Sequence, residues 1–204
     1  FAAIVIGFTS CVDGNDKPVD PVDPETDDVL VNTNISSNTT WETGKTYVLG
    51  GRIAVTAGNT LTIQPGVIVK GEVGSGSNAT ALIIARGAKI DAQGTATSPI
   101  IFTTIADEIM PGEIASPNLE ADLSGLWGGL IILGKAKASL AGDVTETQIE
   151  GIPPSDTNGL YGGTDDADNS GTLKYVSIRH GGANIGEGNE INGLTLGAVG
   201  SGTV

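Results

Sequence analysis

The sequence predicts an all-β fold, a right-handed parallel β-helix, and three observations predict it. Aromatic residues make up 4% of the chain while 31 of its 204 residues are glycine. Core volume must then come from Val, Ile, Leu and Ala on short strands separated by Gly turns. Apolar residues alternate with polar ones at a period of two, and Gly or Pro interrupts every stretch long enough for a helix. Similar strands also recur in similar order. A coil of roughly 20–25 residues with two or three short strands is what stacked parallel pairing requires. An antiparallel sandwich would use short strands too, but it calls for hairpin signals between paired runs. The only Asn-Gly pairs are Asn158-Gly159 and Asn192-Gly193.

Residues 1–11, FAAIVIGFTSC, form an apolar run too short to span a bilayer and suited to the core of a secretory signal. It lacks Met and a basic leader, so the sequence is expected to begin partway through that signal. Phe8-Thr9-Ser10-Cys11 resembles a lipobox, in which small residues precede a cysteine that is acylated and becomes the mature N-terminus. Phe8 departs from the more usual Leu. Cys11 is therefore the expected lipidation site and the membrane the expected partner, through that anchor.

Residues 12–28 hold seven acidic residues, one Lys and three prolines. Pro stiffness and like-charge repulsion keep such a segment extended and solvated, as a tether. The β-helix domain is expected over 29–204. Residues 29–45, with Trp41, read as an N-terminal cap. The strand pattern then runs through Thr46-Tyr-Val-Leu-Gly, Arg52-Ile-Ala-Val-Thr-Ala-Gly and Thr60-Leu-Thr-Ile-Gln-Pro-Gly, with Gln64-Pro65-Gly66 as a sharp corner. Leu61-Thr-Ile-Gln-Pro-Gly is echoed by Leu82-Ile-Ile-Ala-Arg-Gly and by Leu130-Ile-Ile-Leu-Gly. Leu61 and Leu82 lie 21 residues apart, as do Leu173 and Leu194, which suggests successive coils. Leu61, Ile63, Leu82, Ile84, Leu130, Ile132, Leu173 and Val176 are the expected core positions. Ala106–Ser124 and Gly151–Gly171 read as insertions. The chain reaches Val204 on a strand pattern with no cap, so the helix is expected to be incomplete at its C-terminus.

The formal net charge of −14 argues against nucleic acid as a partner, because little here would replace the counterions on a phosphate backbone. The single cysteine excludes an internal disulfide and a Cys/His metal cluster. The single histidine, His180, leaves Ser-His-Asp or Cys-His catalysis no base other than itself.

Three local patterns carry candidate chemistry. Asp166, Asp168 and Ser170, followed by Gly171, match the first half of a calcium loop, where alternate side chains turn onto one oxygen-loving cation. Ser177 stands where the closing bidentate Glu would be, so Glu187 or Glu190 would have to complete the shell. The alternative is a solvated Asx-rich turn. Trp127, like Trp41, is placed either to stack on a sugar ring or to fill a coil corner. Asp165-Asp166 followed by Arg179-His180-Gly181 has the look of a glycoside-hydrolase set. Inverting hydrolysis, however, needs two carboxyl groups across the glycosidic bond, roughly 6.5–9.5 Å apart. Arg179 and His180 otherwise read as the polar end of a strand.

Over roughly residues 41–204 the chain resembles a family of Bacteroidetes surface lipoproteins of unknown function that form parallel β-helices. The motifs that carry this are Leu61-Thr-Ile-Gln-Pro-Gly-Val-Ile-Val-Lys-Gly, Gly125-Leu-Trp-Gly-Gly-Leu-Ile-Ile-Leu-Gly, Ile149-Glu-Gly, Tyr161-Gly-Gly-Thr-Asp-Asp-Ala-Asp-Asn-Ser-Gly and Asn189-Glu-Ile-Asn-Gly-Leu-Thr-Leu. The acidic residues after Cys11 also resemble the signal that sends such lipoproteins to the outer face of the outer membrane. The resemblance implies fold and a lipid-anchored cell-surface location, and it supplies no catalytic residues. The function expected is a non-enzymatic module that holds loops away from the membrane for binding, with glycans as one ligand class, or for assembly. An outer-membrane nutrient importer is an expected neighbour. The alternatives are a carbohydrate-active β-helix enzyme of lyase or hydrolase type, and a structural stalk or adhesin segment.

Overall fold

The computed structural model describes residues 28–186 and 189–204. The expected signal, Cys11 and all but the last residue of the tether lie outside the described residues, as does Glu187.

Strands follow one another around a three-sided coil. The first coil holds β1 (Val29–Val31) and β2 (Thr39–Trp41); the second holds β3 (Thr46–Leu49), β4 (Arg52–Val55) and β5 (Thr60–Ile63). The third holds β6 (Ile68–Gly71), β7 (Ala81–Ile84) and β8 (Lys89–Gln93), and the fourth starts with β9 (Ile100–Thr104) and β10 (Gly129–Leu133). A hairpin of β11 (Glu146–Gln148) and β12 (Leu160–Gly162) intervenes before β13 (Gly171–Lys174) completes that coil. The fifth has β14 (Val176–Ile178), a second hairpin of β15 (Asn184–Gly186) and β16 (Asn189–Glu190), and then β17 (Leu194–Gly197).

Three parallel sheets result: β1-β3-β6-β9-β14, β4-β7-β10-β17 and β2-β5-β8-β13. The chain visits them in constant order, which makes it a parallel β-helix, right-handed as crossovers between parallel strands are. Among the described residues only the two hairpins are antiparallel.

The corners explain the glycines. Glu42, Thr56, Gln64 and Ala85 each accept, through the backbone carbonyl, the N–H of the residue three positions on. The residue before that donor is Gly44, Gly58, Gly66 or Gly87, all at φ between 80° and 87°. A glycine with positive φ at the third position is the signature of a type II turn, and Pro65 occupies the position where such turns favour proline.

Inside, like side chains stack from coil to coil. Ile53, Leu82 and Leu130 form one buried ladder on the second sheet, which the exposed Leu194 extends; Trp41, Ile63, Ala92 and Leu173 form one on the third. Leu61, Ile63, Leu82, Ile84, Leu130 and Ile132 are buried, and Leu173 and Val176 pack half-buried against the same core. The 21-residue spacing was misleading. Leu61 pairs with Ile90 on the third sheet, whereas Leu82 pairs with Leu130 on the second. Leu173 and Leu194 likewise belong to different sheets. Strands on different sides look alike because the same Gly turn closes corners between different pairs of sheets, at 42–45, 56–59, 64–67 and 85–88.

Residues 29–45 are not a separate cap but the first coil itself: β1 pairs with β3, β2 with β5, and Ile35 bridges to Val55. At the other end Val204 exchanges backbone hydrogen bonds with Leu173 and Gly171, which carries the chain onto the third sheet.

The insertions cover two of the three outer faces. The one between β9 and β10 lays Ile109 over Ile68 and Ile101 on the first sheet. The one between β10 and β13 packs Ile152, with Ile149 and Tyr161, over Ala54, Ala81, Ile83 and Ile131 on the second. Among the described residues no helix is long and apolar enough to cross a membrane.

Candidate functional site

The insertion between β9 and β10 carries five carboxylates, Asp107, Glu108, Glu113, Glu120 and Asp122, and no basic residue. What holds it down is a buried polar knot. Asp107 accepts hydrogen bonds from Thr103 Oγ1 at 2.8 Å, Ser116 Oγ at 2.8 Å and the Ile109 N–H at 3.1 Å. Lys70, largely buried on the outer side of β6, donates to the Asp107 carbonyl at 2.7 Å. Burial pushes the Asp107 carboxyl up, but the hydrogen bonds from Ser116, Thr103 and Ile109, with the nearby His180 adding attraction, outweigh it and hold the group below its usual value. Asp107 is thus a structural anion.

The far end of the insertion stands away from the first sheet and leaves a groove of about 640 Å³. Ile114, Glu120, Asp122 and Leu123 line one side, and Arg179 and His180 the other. Arg179 follows β14 at the register position beside Thr103, on the outer side of the sheet. Its guanidinium donates from Nε to Ser177 Oγ at 2.9 Å and from Nη2 to the Ile114 carbonyl. It makes no ion pair among the described residues.

His180 does not continue the strand. Its φ is 56°, a left-handed conformation in which His is several-fold enriched among non-glycine residues but which still carries strain. The bend breaks the alternation of the strand, so neighbours in sequence both line the groove. The imidazole is 7% exposed. Nδ1 lies 2.7 Å from the Leu123 carbonyl. A carbonyl can only accept, so Nδ1 carries hydrogen. Nε2 is buried and has no hydrogen-bond partner. The Leu126 N–H and the Trp127 Nε1–H return to the carbonyls of His180 and Arg179, at 2.9 and 2.7 Å. Both insertion and strand therefore brace this pair.

Trp127 itself is fully buried. Its ring occupies the space left by the missing side chain of Gly71, where a Cβ would lie 2.7 Å from the ring. This corrects the sugar-stacking expectation: no face of the indole reaches solvent, and the residue fills a coil corner. Trp41 is buried too, stacked on Tyr47 with centroids 4.6 Å apart.

The calcium-loop residues do not share a common direction. Asp166 is exposed and accepts from the Lys137 N–H at 3.1 Å, with Lys137 Nζ at 3.3 Å. Those hydrogen bonds hold its carboxyl below the usual value. Asp168 turns inward, buried, and accepts from Ser170 Oγ at 2.9 Å. Asp165 and Asn169 accept from backbone N–H groups two residues on, as Asx turns do. Among the described residues no three acids, histidines or cysteines gather as a metal site. Asp165 and Asp166 are also not among the residues lining the groove, so they do not join Arg179 and His180 as a hydrolase pair.

A family model described as a pectate-lyase-like β-helix domain matches residues 33–204. The chain belongs to this family. No curated protein and no solved structure matches it. In this pectate-lyase-like β-helix the sequence reading weighs Arg179 and His180 with Asp165-Asp166 as a hydrolase set or, otherwise, as the polar end of a strand, and it does not place them in a groove beneath the β9–β10 insertion. The one available signal was the His180-Gly181-Gly182 run, which breaks a strand pattern directly after an arginine.

Proposed function

We propose that this pectate-lyase-like β-helix is a carbohydrate-recognition module whose site is the groove between the β9–β10 insertion and the first sheet. One observation carries the reading: Arg179 and His180, adjacent in sequence, both line a groove of about 640 Å³ beneath the insertion. That volume lies within the range of pockets that hold small ligands. Apolar Ile114 and Leu123 beside a few fixed polar groups suit a sugar, whose rings present apolar faces and hydroxyl edges.

The reading favours binding over turnover. Asp107, the buried acid, is committed to three donors and held ionised, so it is a poor general acid. The acids left in the groove, Glu120 and Asp122, come from one side only, whereas hydrolysis needs carboxyl groups on both sides of the bond. Placement at the bacterial surface through a lipid on Cys11 belongs to the same proposal. The motif order of apolar run, small residues, cysteine and acidic tether supports it.

The test is one screen of the full chain against neutral and acidic oligosaccharides, read for both binding and product release. Binding without turnover is expected. Turnover would favour the enzyme reading, and neither binding nor turnover would leave a stalk. For the anchor, Cys11→Ala should move the protein out of the membrane fraction, since chains buried at about 0.8 kcal/mol per CH₂ hold it there; unchanged partitioning would refute lipidation.

A further inference from the structure

We infer that Asn192-Gly193 is a site of spontaneous covalent modification, where the asparagine closes onto the next backbone nitrogen, converts to isoaspartate and displaces the strand that follows. This stands apart from the carbohydrate reading, because the reaction needs no ligand.

Asparagine followed by glycine suits this reaction, since a residue without Cβ leaves its own N–H open to the amide carbon before it. Water is the only co-reactant. The Gly193 nitrogen attacks Asn192 Cγ, the Cγ–Nδ2 bond breaks, and ammonia leaves with the proton from the Gly193 nitrogen. The cyclic imide that results takes up one water. Opening at Cγ gives aspartate. Opening at the former backbone carbonyl gives isoaspartate, whose chain runs through Cβ and Cγ and is longer by one carbon.

The chain holds two Asn-Gly pairs, and the fold treats them in opposite ways. At Asn158-Gly159 both the leaving group and the nucleophile are tied. Asn158 Nδ2 donates to Asp156 Oδ1 at 2.8 Å, and the Gly159 N–H donates to the Asp156 carbonyl at 3.1 Å. Gly159 is also buried, within the short 3₁₀ turn Thr157–Gly159. At Asn192-Gly193 neither group is tied. Asn192 is exposed, and among the described residues neither its side chain nor the Gly193 N–H makes a hydrogen bond.

The backbone around this second pair is crowded, so the product cannot be accommodated in place. The Gly193 carbonyl accepts the Leu130 N–H at 2.9 Å, just ahead of the β10–β17 pairing. A Cβ on Gly129 would lie 2.4 Å from the carbonyl oxygens of both Asn192 and Gly193, and one on Gly181 would lie 2.9 Å from Gly193 Cα. Backbone rests directly on backbone there, which leaves no space for another chain carbon. The lengthened chain must pull Gly193 off Leu130. Because Gly193 also lines the groove, the same change reshapes that wall.

The test ages the full chain in mildly alkaline buffer at physiological temperature and follows both sites by peptide mapping, with isoaspartate identified by enzymatic methyl transfer. Conversion at Asn192 is expected to run at least about tenfold faster than at Asn158, whose two hydrogen bonds must break first. In denaturant, where the fold protects neither, the two rates should converge. Hydrogen exchange then reads the consequence. In the aged wild type the Leu130 N–H and the amides of β17 should exchange faster, because local pairing there is lost. Asn192→Gln changes an exposed side chain, and the aged variant should keep the protection of fresh protein. Equal rates at the two sites in the folded chain, faster conversion at Asn158, or no conversion at Asn192 would overturn the assignment of the site. Isoaspartate at position 192 with the Leu130 N–H still protected would overturn the displacement of β17.

Discussion

At the scale of single residues, the site is built from groups that ordinary packing would not leave as they are. Asp107 is buried yet held ionised by three donors. Its folded value lies below its unfolded one, so its contribution to stability is full above the ordinary carboxyl range. That contribution drains away as pH falls through the folded value. Asp107→Asn should therefore lower the melting temperature at neutral pH and flatten the loss of stability on acidification, which thermal melts across pH would record. An unchanged acid limb would show that Asp107 is not the anchor described. Trp127 is fully enclosed, and Trp127→Ala should cost roughly 3–5 kcal/mol in chemical denaturation. Asp166 and Asp168 make a contrasting case. Lys137 and Ser170 already engage them, so millimolar calcium should leave the melting temperature within about one degree of its value in chelator. A larger rise would mean that the loop reorganises around the cation.

At the scale of elements, much was legible because turn chemistry and alternation are local. Gln64-Pro65-Gly66 reads as a corner, and it is one. Leu82 and Leu130 read as equivalent rungs, and they pair. Leu61 and Leu82 also read as equivalent, and they sit on different sheets. Both strands run into the same kind of Gly turn, at Gly66 and at Gly87, so nothing in that local pattern separates the two sides, whereas pairing is a property of the closed coil. The groove was illegible for the same reason. Arg179 and His180 acquire meaning only when the insertion, distant in sequence from them, folds over the first sheet. The glycines divide along similar lines. Gly58 has φ +85° and open space around its missing side chain, so Gly58→Ala should cost only the backbone strain of about 1–2 kcal/mol. A Cβ on Gly171 would lie 1.8 Å from the Ile90 carbonyl, across the β8–β13 pairing. Gly171→Ala should be distinctly worse, and equal effects in parallel melts would contradict this account of the corners and ladders.

At the scale of the whole molecule, the rigid part and the variable part are separate. Stacked ladders of Leu, Ile and Val form a continuous interior, so a rung such as Leu82→Ala should cost roughly 2–5 kcal/mol and weaken the coils on either side. The insertions close the outer faces of the first and second sheets, while the third keeps a polar surface that includes Thr60, Thr62, Lys89 and Lys174. Recognition is then expected where an insertion stands away from its sheet, and that happens over Arg179 and His180. The most direct test fills that space and leaves the coils alone. Ala121 lines the groove and is exposed, so Ala121→Trp adds bulk there without touching the core. Calorimetry with the oligosaccharide that the wild type binds most tightly in the screen should show at least about a tenfold loss, at an unchanged melting temperature. Wild-type affinity in the folded variant would place the site elsewhere and contradict the assignment of the groove.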